Sequence, residues 1–243
     1  MKKVLLIAIV ALGMLGLAQA GEGMGMQKGM QQGQGKGKMM PKNYRMVPMD
    51  KAQILQEGPA KMFCPKCGMT LPMFYRTNHA AKVDGKMEQF CSIHCLVEEM
   101  KSGKKVTDVQ VVDNSTLKFI PVEKAFYVVG SSKPGTMSKV SKYAFGTKEA
   151  AEKFAKEFGG KVLPYAEVLK MVEANFDKEA AMISKRQAKM AKKGEMIYKK
   201  KCQPIEEKFT TAAEAKAYIK AHNSCPGLKG KPLQAVGLYL KSR

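Results

Sequence analysis

Residues 79–95 read HAAKVDGKMEQFCSIHC, and this stretch predicts a β-hairpin followed by a helix. The short runs on either side of Asp84-Gly85 suit two antiparallel strands, because the glycine of the turn tolerates a positive φ. Ser92 then suits the N-cap of an amphipathic helix over 92–101. A further strand at 106–112 completes one ββαβ unit.

The same order of elements recurs downstream. The sequence predicts strands at 117–121, 124–130 and 141–146, then a helix at 147–158 and a strand at 160–163. Alanine and phenylalanine recur at three- and four-residue spacing in that helix, which predicts an apolar stripe that packs on a sheet. Thr147 suits its N-cap, and Gly159-Gly160 suits its end.

The predicted fold class is therefore α+β, with two related ββαβ units as the core and a small, basic, mostly helical C-terminal extension. We expect five segments along the chain. They are a signal peptide at 1–20, a flexible Gly/Gln/Met-rich segment at 21–58, a first, metal-binding ββαβ unit at 59–115, a second unit at 116–176 and the extension at 177–243.

Two pairs of cysteines flank the predicted hairpin. Cys64 and Cys67 form a C-x-x-C pair within CPKCGM, and Cys91 and Cys95 form a C-x-x-x-C pair within CSIHC. Together they bring four thiolates within reach of one soft metal ion. His94 lies inside the second pair and is an additional candidate ligand. We also expect the helix N-terminus to favour the thiolate of Cys95.

Three other interpretations of the cysteines stay open on the residues alone. They are two disulfides in an oxidising compartment, a structural zinc knuckle with four thiolates, and a thiol oxidoreductase. The oxidoreductase is the weakest of the three, because a second cysteine pair has no purpose in that mechanism. Structural zinc is the main alternative to copper.

Methionine favours Cu(I) at this site. The chain has 19 methionines and 3 histidines. Met69 directly follows the C-x-x-C-G motif, and Met137 lies in a polar loop at 131–138. A thioether is a soft ligand suited to Cu(I), and cysteine with methionine is not a combination that zinc prefers. The segment 21–58 is also rich in methionine, which suits either a Cu(I)-collecting tail or a linker of biased composition.

The first twenty residues predict export. Lys2 and Lys3 precede an uncharged apolar run at 4–18, and Ala18-Gln19-Ala20 is a small-x-small cleavage pattern. We expect cleavage before Gly21 and a periplasmic location. An uncleaved amino-terminal anchor is the alternative.

The C-terminal extension is strongly basic. Residues 178–243 contain 16 Lys and Arg but only 5 Glu, and the whole chain carries a formal charge of +21. This charge suits an anionic membrane or protein surface as partner. Nucleic acid is not expected for an exported chain with few exposed aromatic residues.

Parts of this extension resemble a class I cytochrome c. The blocks at 194–202 and 225–240 carry the likeness, but the haem-attachment motif C-x-x-C-H is absent, so we expect no haem. Cys202 and Cys225 are expected to form a structural disulfide. An accessory metal site that includes His222 is the alternative.

The stretch from 62 to 171 resembles the NosL-type family of exported copper chaperones that serve nitrous oxide reductase. The likeness rests on CPKCGM, on the strand at 125–130, on the loop ending in Met137 and on a closing aromatic, helix and Gly-Gly run. The first half also resembles the small TRASH- and YHS-type metal-binding modules. The resemblance implies two ββαβ units and Cu(I) delivery. It places copper-binding motifs at Met137 and at the Cys67–Met69 pair.

The sequence therefore predicts an exported Cu(I) metallochaperone that is not an enzyme, with nitrous oxide reductase and its maturation machinery as implied partners. The alternative function is a structural zinc-knuckle interaction protein of the periplasm. Candidate metal ligands are Cys64, Cys67, Met69, Cys91, His94, Cys95 and Met137.

Overall fold

A computed structural model describes residues 43–243 of the chain, and it contains the hairpin expected from the sequence. Strands β1 (His79–Val83) and β2 (Lys86–Phe90) pair antiparallel, with Val83 opposite Lys86. Asp84 and Gly85 have φ values of 47° and 84°. A two-residue hairpin turn of type I′ requires positive φ at both positions, so the local sequence sets the register of this hairpin.

The first ββαβ unit closes into an antiparallel sheet. Helix α1 (Ile93–Met100) follows β2, and strand β3 (Val106–Val112) then returns to pair with β1. A short strand β4 (Phe119–Pro121) pairs with β3, which gives the order β2-β1-β3-β4. Its residues fall within the predicted second unit, yet they extend the first sheet.

The second unit repeats the topology of the first. Its elements are β5 (Phe126–Val129), β6 (Lys142–Phe145), helix α2 (Lys148–Phe158) and β7 (Lys161–Pro164), with the strand order β6-β5-β7. In both units the first strand is central and pairs antiparallel with the second and third strands. The predicted α+β fold with two related ββαβ units is therefore confirmed.

The boundaries of α2 follow the expected signals. The side chain of Thr147 accepts a hydrogen bond from the Ala150 amide at 3.2 Å. Gly159 ends the helix with a φ of 73°, a conformation that costs glycine little.

Three helices form the C-terminal part. They are α3 (Tyr165–Lys201), α4 (Ala212–Ala221) and α5 (Gly230–Ser242). Helix α3 is continuous across the predicted boundary between 176 and 177. A Cβ at Gly194 would lie 2.0 Å from the Ala235 carbonyl oxygen, so this glycine lets α3 and α5 cross closely. The expected disulfide between Cys202 and Cys225 is present.

One buried core joins both sheets to α3. Val97 of α1, Val111 of β3, Tyr127 of β5 and Val168 of α3 belong to the same buried cluster. The first turns of α3 are thus part of the domain core rather than a separate extension. Among residues 43–243, no helix combines the length and apolarity that crossing a membrane requires.

The predicted signal peptide and the part of the Met-rich segment at 21–42 lie outside the described residues. Residues 43–58 differ from the flexible segment that we expected. Tyr44 packs edge-on against Tyr143 at 5.3 Å, Val47 is buried, and the Gln56 side chain donates to the Phe63 carbonyl at 2.8 Å. The prediction of a flexible segment rested on the composition of residues 21–40. Residues 43–58 differ in composition, because they include apolar side chains that pack in the core and an amide side chain that forms a hydrogen bond there.

Acidic pH should destabilise this fold through His79. The buried imidazole lies 3.0 Å from the Tyr127 hydroxyl and 3.2 Å from the Thr77 carbonyl oxygen, and burial lowers its pKa to about 4. Histidine in an unfolded chain has a pKa of about 6.5, so between these values the unfolded state binds more protons. The free energy of unfolding should therefore fall as the pH drops from about 6.5 to about 4, by up to about 3 kcal/mol from this group.

Urea unfolding of the wild-type protein and of His79→Gln at pH values across this window measures the effect. The glutamine variant should be less stable at neutral pH and should lose less stability on acidification. Equal losses in the two proteins would show that His79 is not the responsible group.

Candidate metal site

The four cysteines that flank the hairpin converge in the interior. The sulfur atoms of Cys64, Cys67, Cys91 and Cys95 all lie within 4.8 Å of one another, and all four residues are buried. The Cys67 and Cys91 sulfurs are 3.4 Å apart, and those of Cys91 and Cys95 are 3.7 Å apart. A tetrahedron with metal–sulfur bonds of about 2.3 Å has sulfur–sulfur edges of about 3.8 Å. The four are free thiols, and their spacing fits one soft metal ion.

A tight loop, the knuckle at 64–69, presents the first cysteine pair. The Cys64 amide donates to the Met69 carbonyl at 2.9 Å, and the Gly68 amide donates to the Cys64 carbonyl at 2.8 Å. Gly68 has a φ of 73°. These bonds fold the loop back on itself, so that both thiols point into the same interior space.

Lys66 ties the knuckle to helix α1. Its ammonium lies 2.9 Å from the carboxylate of Glu99, which is 2% exposed and also pairs with Lys104 at 2.8 Å. Burial raises the pKa of Glu99, but hydrogen bonds from Lys104 and Lys66 outweigh burial and lower its pKa overall. A buried carboxylate with two cationic partners fixes the position of the knuckle relative to α1.

The second cysteine pair comes from the junction of β2 and α1. Cys91 directly follows β2, and Cys95 lies in the first turn of α1. Ser92 occupies the expected N-cap position, but its side chain makes no capping bond and its hydroxyl oxygen is buried without a hydrogen-bond partner. The hydroxyl of Thr77 donates to the Cys91 carbonyl at 2.9 Å and holds this junction from the other side.

The two candidate methionines pack against the same part of the core that contains the four thiols. Met69 and Met137 are half-buried and pack against the apolar cluster that contains all four cysteines. Met137 has a φ of 59°, an uncommon conformation for a side chain of this size. Such local strain is typical of positions that the surrounding structure holds for function.

The loop that carries Met137 is anchored on several sides. The Arg45 guanidinium donates to the Gly135 carbonyl, and the Tyr143 hydroxyl donates to the Pro134 carbonyl at 2.7 Å. The hydroxyls of Thr77 and Thr136 are 2.8 Å apart, which links the loop to the same residue that holds Cys91. Met137 is predicted as a ligand from the sequence, but none of these anchors is.

The structure does not bring His94 into the thiol group. Its ring stacks on Phe176 of α3 with centroids 4.9 Å apart, and its Nδ1 lies 3.4 Å from the Glu179 carboxylate. Burial raises the pKa of Glu179, but hydrogen bonds from His94 and Ser138 outweigh it and lower the pKa overall. His94 thus joins α1 to α3, and Glu179 also holds the loop of Met137 through Ser138.

The thiols of the cluster differ in pKa when no metal is bound. Burial raises the pKa of Cys64, but hydrogen bonds from the thiols of Cys67, Cys91 and Cys95 outweigh burial and bring its pKa well below the usual value. Burial and hydrogen bonding to Cys64 and Cys67 raise the pKa of Cys91 well above its usual value. The thiol of Cys64 therefore ionises more readily than that of Cys91.

The expectation for Cys95 is wrong. Its hydrogen bonds to Cys64, Cys67 and Cys91, together with burial, raise its pKa well above the usual value. The helix N-terminus favours a thiolate at this position, but the neighbouring sulfur atoms at hydrogen-bond distance have the larger effect. Sequence patterns do not show that four thiols will compete for the same protons.

A lysine of the C-terminal part lies buried beside the knuckle. Lys216 of α4 is 1% exposed, and its ammonium donates to the Gly68 carbonyl. Burial lowers its pKa to about 7, while the negative charge of Cys67 and Cys64 acts to raise it. Lys216 is not among the candidate residues predicted from the sequence. The neighbouring alanines do not set it apart from Lys220, which follows one helical turn later.

The fold and the cluster define an α+β protein with two ββαβ units and one buried group of four thiols suited to a soft metal ion. The protein-family model NosL matches residues 58–172, just under half of the chain. This match confirms, for residues 58–172, the resemblance to the NosL family that was drawn from the sequence motifs.

One solved structure is similar to part of the chain. It is described as the crystal structure of the copper chaperone NosL from Shewanella denitrificans, and it is 27% identical to the present sequence. The match covers 49% of this chain and 96% of the other, with a TM-score of 0.37. No curated protein matches the chain.

Metal affinity at this site should rise with pH. A metal binds thiolates, so the thiols of Cys91 and Cys95, whose pKa values are raised, must release their protons on binding. Competition titrations between about pH 6 and about pH 8, corrected for the pH dependence of the chelator, should show stronger binding at the higher pH. A pH indicator should report proton release upon loading. An affinity that does not change over this range would contradict the proton distribution described above.

Proposed function

We propose that this protein is an exported Cu(I)-binding metallochaperone that delivers copper to a periplasmic copper enzyme, with nitrous oxide reductase as the recipient. The observation that carries the proposal is the buried group of four thiols, together with two methionines that pack against the apolar cluster containing those thiols. Thiolates and thioethers are the ligands that select Cu(I). The NosL match over 58–172 and the export signal expected at 1–20 support the same role.

In this proposal Cu(I) is held by Cys67, Met69 and Met137, with Cys64, Cys91 and Cys95 as additional or alternative ligands. His94 is the weakest candidate, since its ring contacts Glu179 and Phe176. A Cu(I) ion needs two or three of the soft donors at a time, so the group offers more sulfur atoms than one ion uses. Surplus donors permit stepwise ligand exchange, and the protein performs no chemical turnover.

The two methionines are the proposed exchange point. The four cysteines are between 0% and 3% exposed, whereas Met69 and Met137 are half-buried. A recipient's ligand can therefore approach the thioethers before it reaches any thiol. Thioethers are also uncharged, so copper leaves them without separating from a negative charge.

Structural zinc remains the second candidate function, and one specific observation favours it. The sulfur–sulfur distances of 3.4 Å (Cys67 to Cys91) and 3.7 Å (Cys91 to Cys95) are near those of a four-thiolate tetrahedron, and closed four-thiolate sites are typical of structural zinc. Zinc would use all four cysteines and neither methionine. The role of the methionines therefore separates the two functions.

The basic C-terminal part supplies a surface for an anionic partner. Lys185, Arg186, Lys189 and Lys192 are exposed along the middle of α3. Opposite charge accelerates encounter and orients partners, and salt screens the effect. In the proposed role this face meets the recipient enzyme, its maturation machinery or an anionic membrane surface.

The proposal is tested by anaerobic titration of the reduced protein, residues 21–243, with Cu(I) and separately with Zn(II), each against a competing chelator. Cu(I) should outcompete Zn(II). The double variant Met69→Leu/Met137→Leu should bind Cu(I) at least about tenfold more weakly, which corresponds to about 1.4 kcal/mol, with unchanged Zn(II) binding. Met196→Leu is the matched control, because Met196 is a methionine with 58% exposure on α3.

Two results would contradict the copper proposal. One is Zn(II) binding that exceeds Cu(I) binding, and the other is Cu(I) affinity that the double variant leaves at the wild-type value. Delivery is a separate measurement, in which the Cu(I)-loaded protein is incubated with copper-free nitrous oxide reductase. Copper transfer that exceeds transfer from free Cu(I) in the same chelator buffer supports nitrous oxide reductase as the recipient. Equal transfer would contradict this choice of recipient.

A further inference from the structure

The last two helices contact the knuckle although they lie outside the segment that matches NosL. The Gln234 side-chain amide of α5 donates to the Cys67 carbonyl at 2.8 Å. The Lys216 ammonium of α4 donates to the Gly68 carbonyl and, at 2.8 Å, to the Gln234 side-chain oxygen. Two neighbouring carbonyls of the knuckle thus bind to one linked pair of side chains.

Two glycines make this close approach possible. A Cβ at Gly68 would lie 2.8 Å from the Cβ of Ala212, so the knuckle backbone rests directly on the start of α4. A Cβ at Gly237 would lie 2.6 Å from Cγ of Lys216, so α5 leaves room for the lysine side chain. The positive φ of Gly68 adds a second reason for glycine at this position. The contact between knuckle and helices is therefore closely fitted.

The environment of Lys216 favours a role at the metal site. Its ammonium lies 4.1 Å from the centroid of the Phe63 ring, and its hydrogen-bond acceptors are neutral oxygens of Gly68, Gln234 and Thr70. Within residues 43–243, no carboxylate forms an ion pair with it. A buried cation is costly unless a negative charge offsets it. The knuckle that Lys216 binds carries the thiols of Cys64 and Cys67, which become thiolates when they bind a metal.

We propose that Lys216 and Gln234 are positioning residues of the metal site. They hold the Cys67 and Gly68 carbonyls, and so keep the first cysteine pair directed at the second pair when metal enters or leaves. The C-terminal helices complete the site in this chain. The inference rests on the proposed metal-binding function, but it applies to any metal that the four thiols hold.

The test compares Lys216→Met and Gln234→Leu with the wild-type protein, each as residues 21–243. Mutation of a side chain that orients a metal ligand typically lowers metal affinity by about 10- to 100-fold. We expect Cu(I) affinity to fall by this factor in each variant and the thiolate-to-copper charge-transfer absorption to change in position or intensity. The same variants loaded with Co(II) should show altered ligand-field bands, which report the geometry of the four sulfurs.

Leu233→Ala is the matched control. Leu233 precedes Gln234 on α5, but its side chain packs in the separate core of the C-terminal helices with Ile219 and Val236. The control should lower Tm as much as the test variants do, yet keep the wild-type Cu(I) affinity and both spectra. If Lys216→Met does not fold, Gln234→Leu decides the question, because it removes hydrogen bonds of one half-buried side chain.

Two outcomes would overturn the inference. In one, both test variants keep the wild-type affinity and spectra. In the other, the control loses as much Cu(I) affinity as the test variants do for the same decrease in Tm. The loss of affinity would then follow from lower overall stability and not from the contacts with the knuckle. Failure of the copper proposal is distinguishable from both. If the wild-type protein prefers zinc to copper, the Co(II) spectra still show whether Lys216 and Gln234 position the sulfurs.

Discussion

Four thiols buried within 4.8 Å of one another are the constraint on which the rest of this structure depends. Four thiolates at this spacing are unfavourable without a bound cation, because like charges so close together repel one another. A bound cation removes this conflict. Folding brings the knuckle and the β2–α1 junction together, and metal binding should stabilise that arrangement by mass action.

The duplicated fold explains how a soft-metal site can acquire thioether ligands. In the first unit a two-residue turn joins the hairpin strands β1 and β2. In the second unit the equivalent strands β5 and β6 are joined by residues 130–141, and this longer loop places Met137 against the apolar cluster that contains the four cysteines. The cysteines thus belong to the first unit, whereas Met137 comes from the longer hairpin loop of the second unit.

Much of the fold could be predicted because its signals are local. The Asp84-Gly85 turn, the Thr147 N-cap and the end of α2 at Gly159 each depend on a few adjacent residues. The convergence of the four cysteines followed from motif spacing. By contrast, the role of His94 depends on Phe176 and Glu179, which reach it only through the continuous helix α3. Lys216 and Gln234 meet the knuckle through contacts between residues almost 150 or more positions apart, which no local pattern reports.

The central claim is that cysteine thiolates and the thioethers of Met69 and Met137 bind one Cu(I) ion. Copper-edge X-ray absorption of selenomethionine-labelled protein tests it most directly, because selenium and sulfur neighbours of copper scatter differently. With less than one equivalent of Cu(I), the account predicts both sulfur and selenium neighbours, and loss of the selenium contribution in Met69→Leu/Met137→Leu. A spectrum with sulfur alone, or a selenium contribution that persists in the double variant, would contradict it.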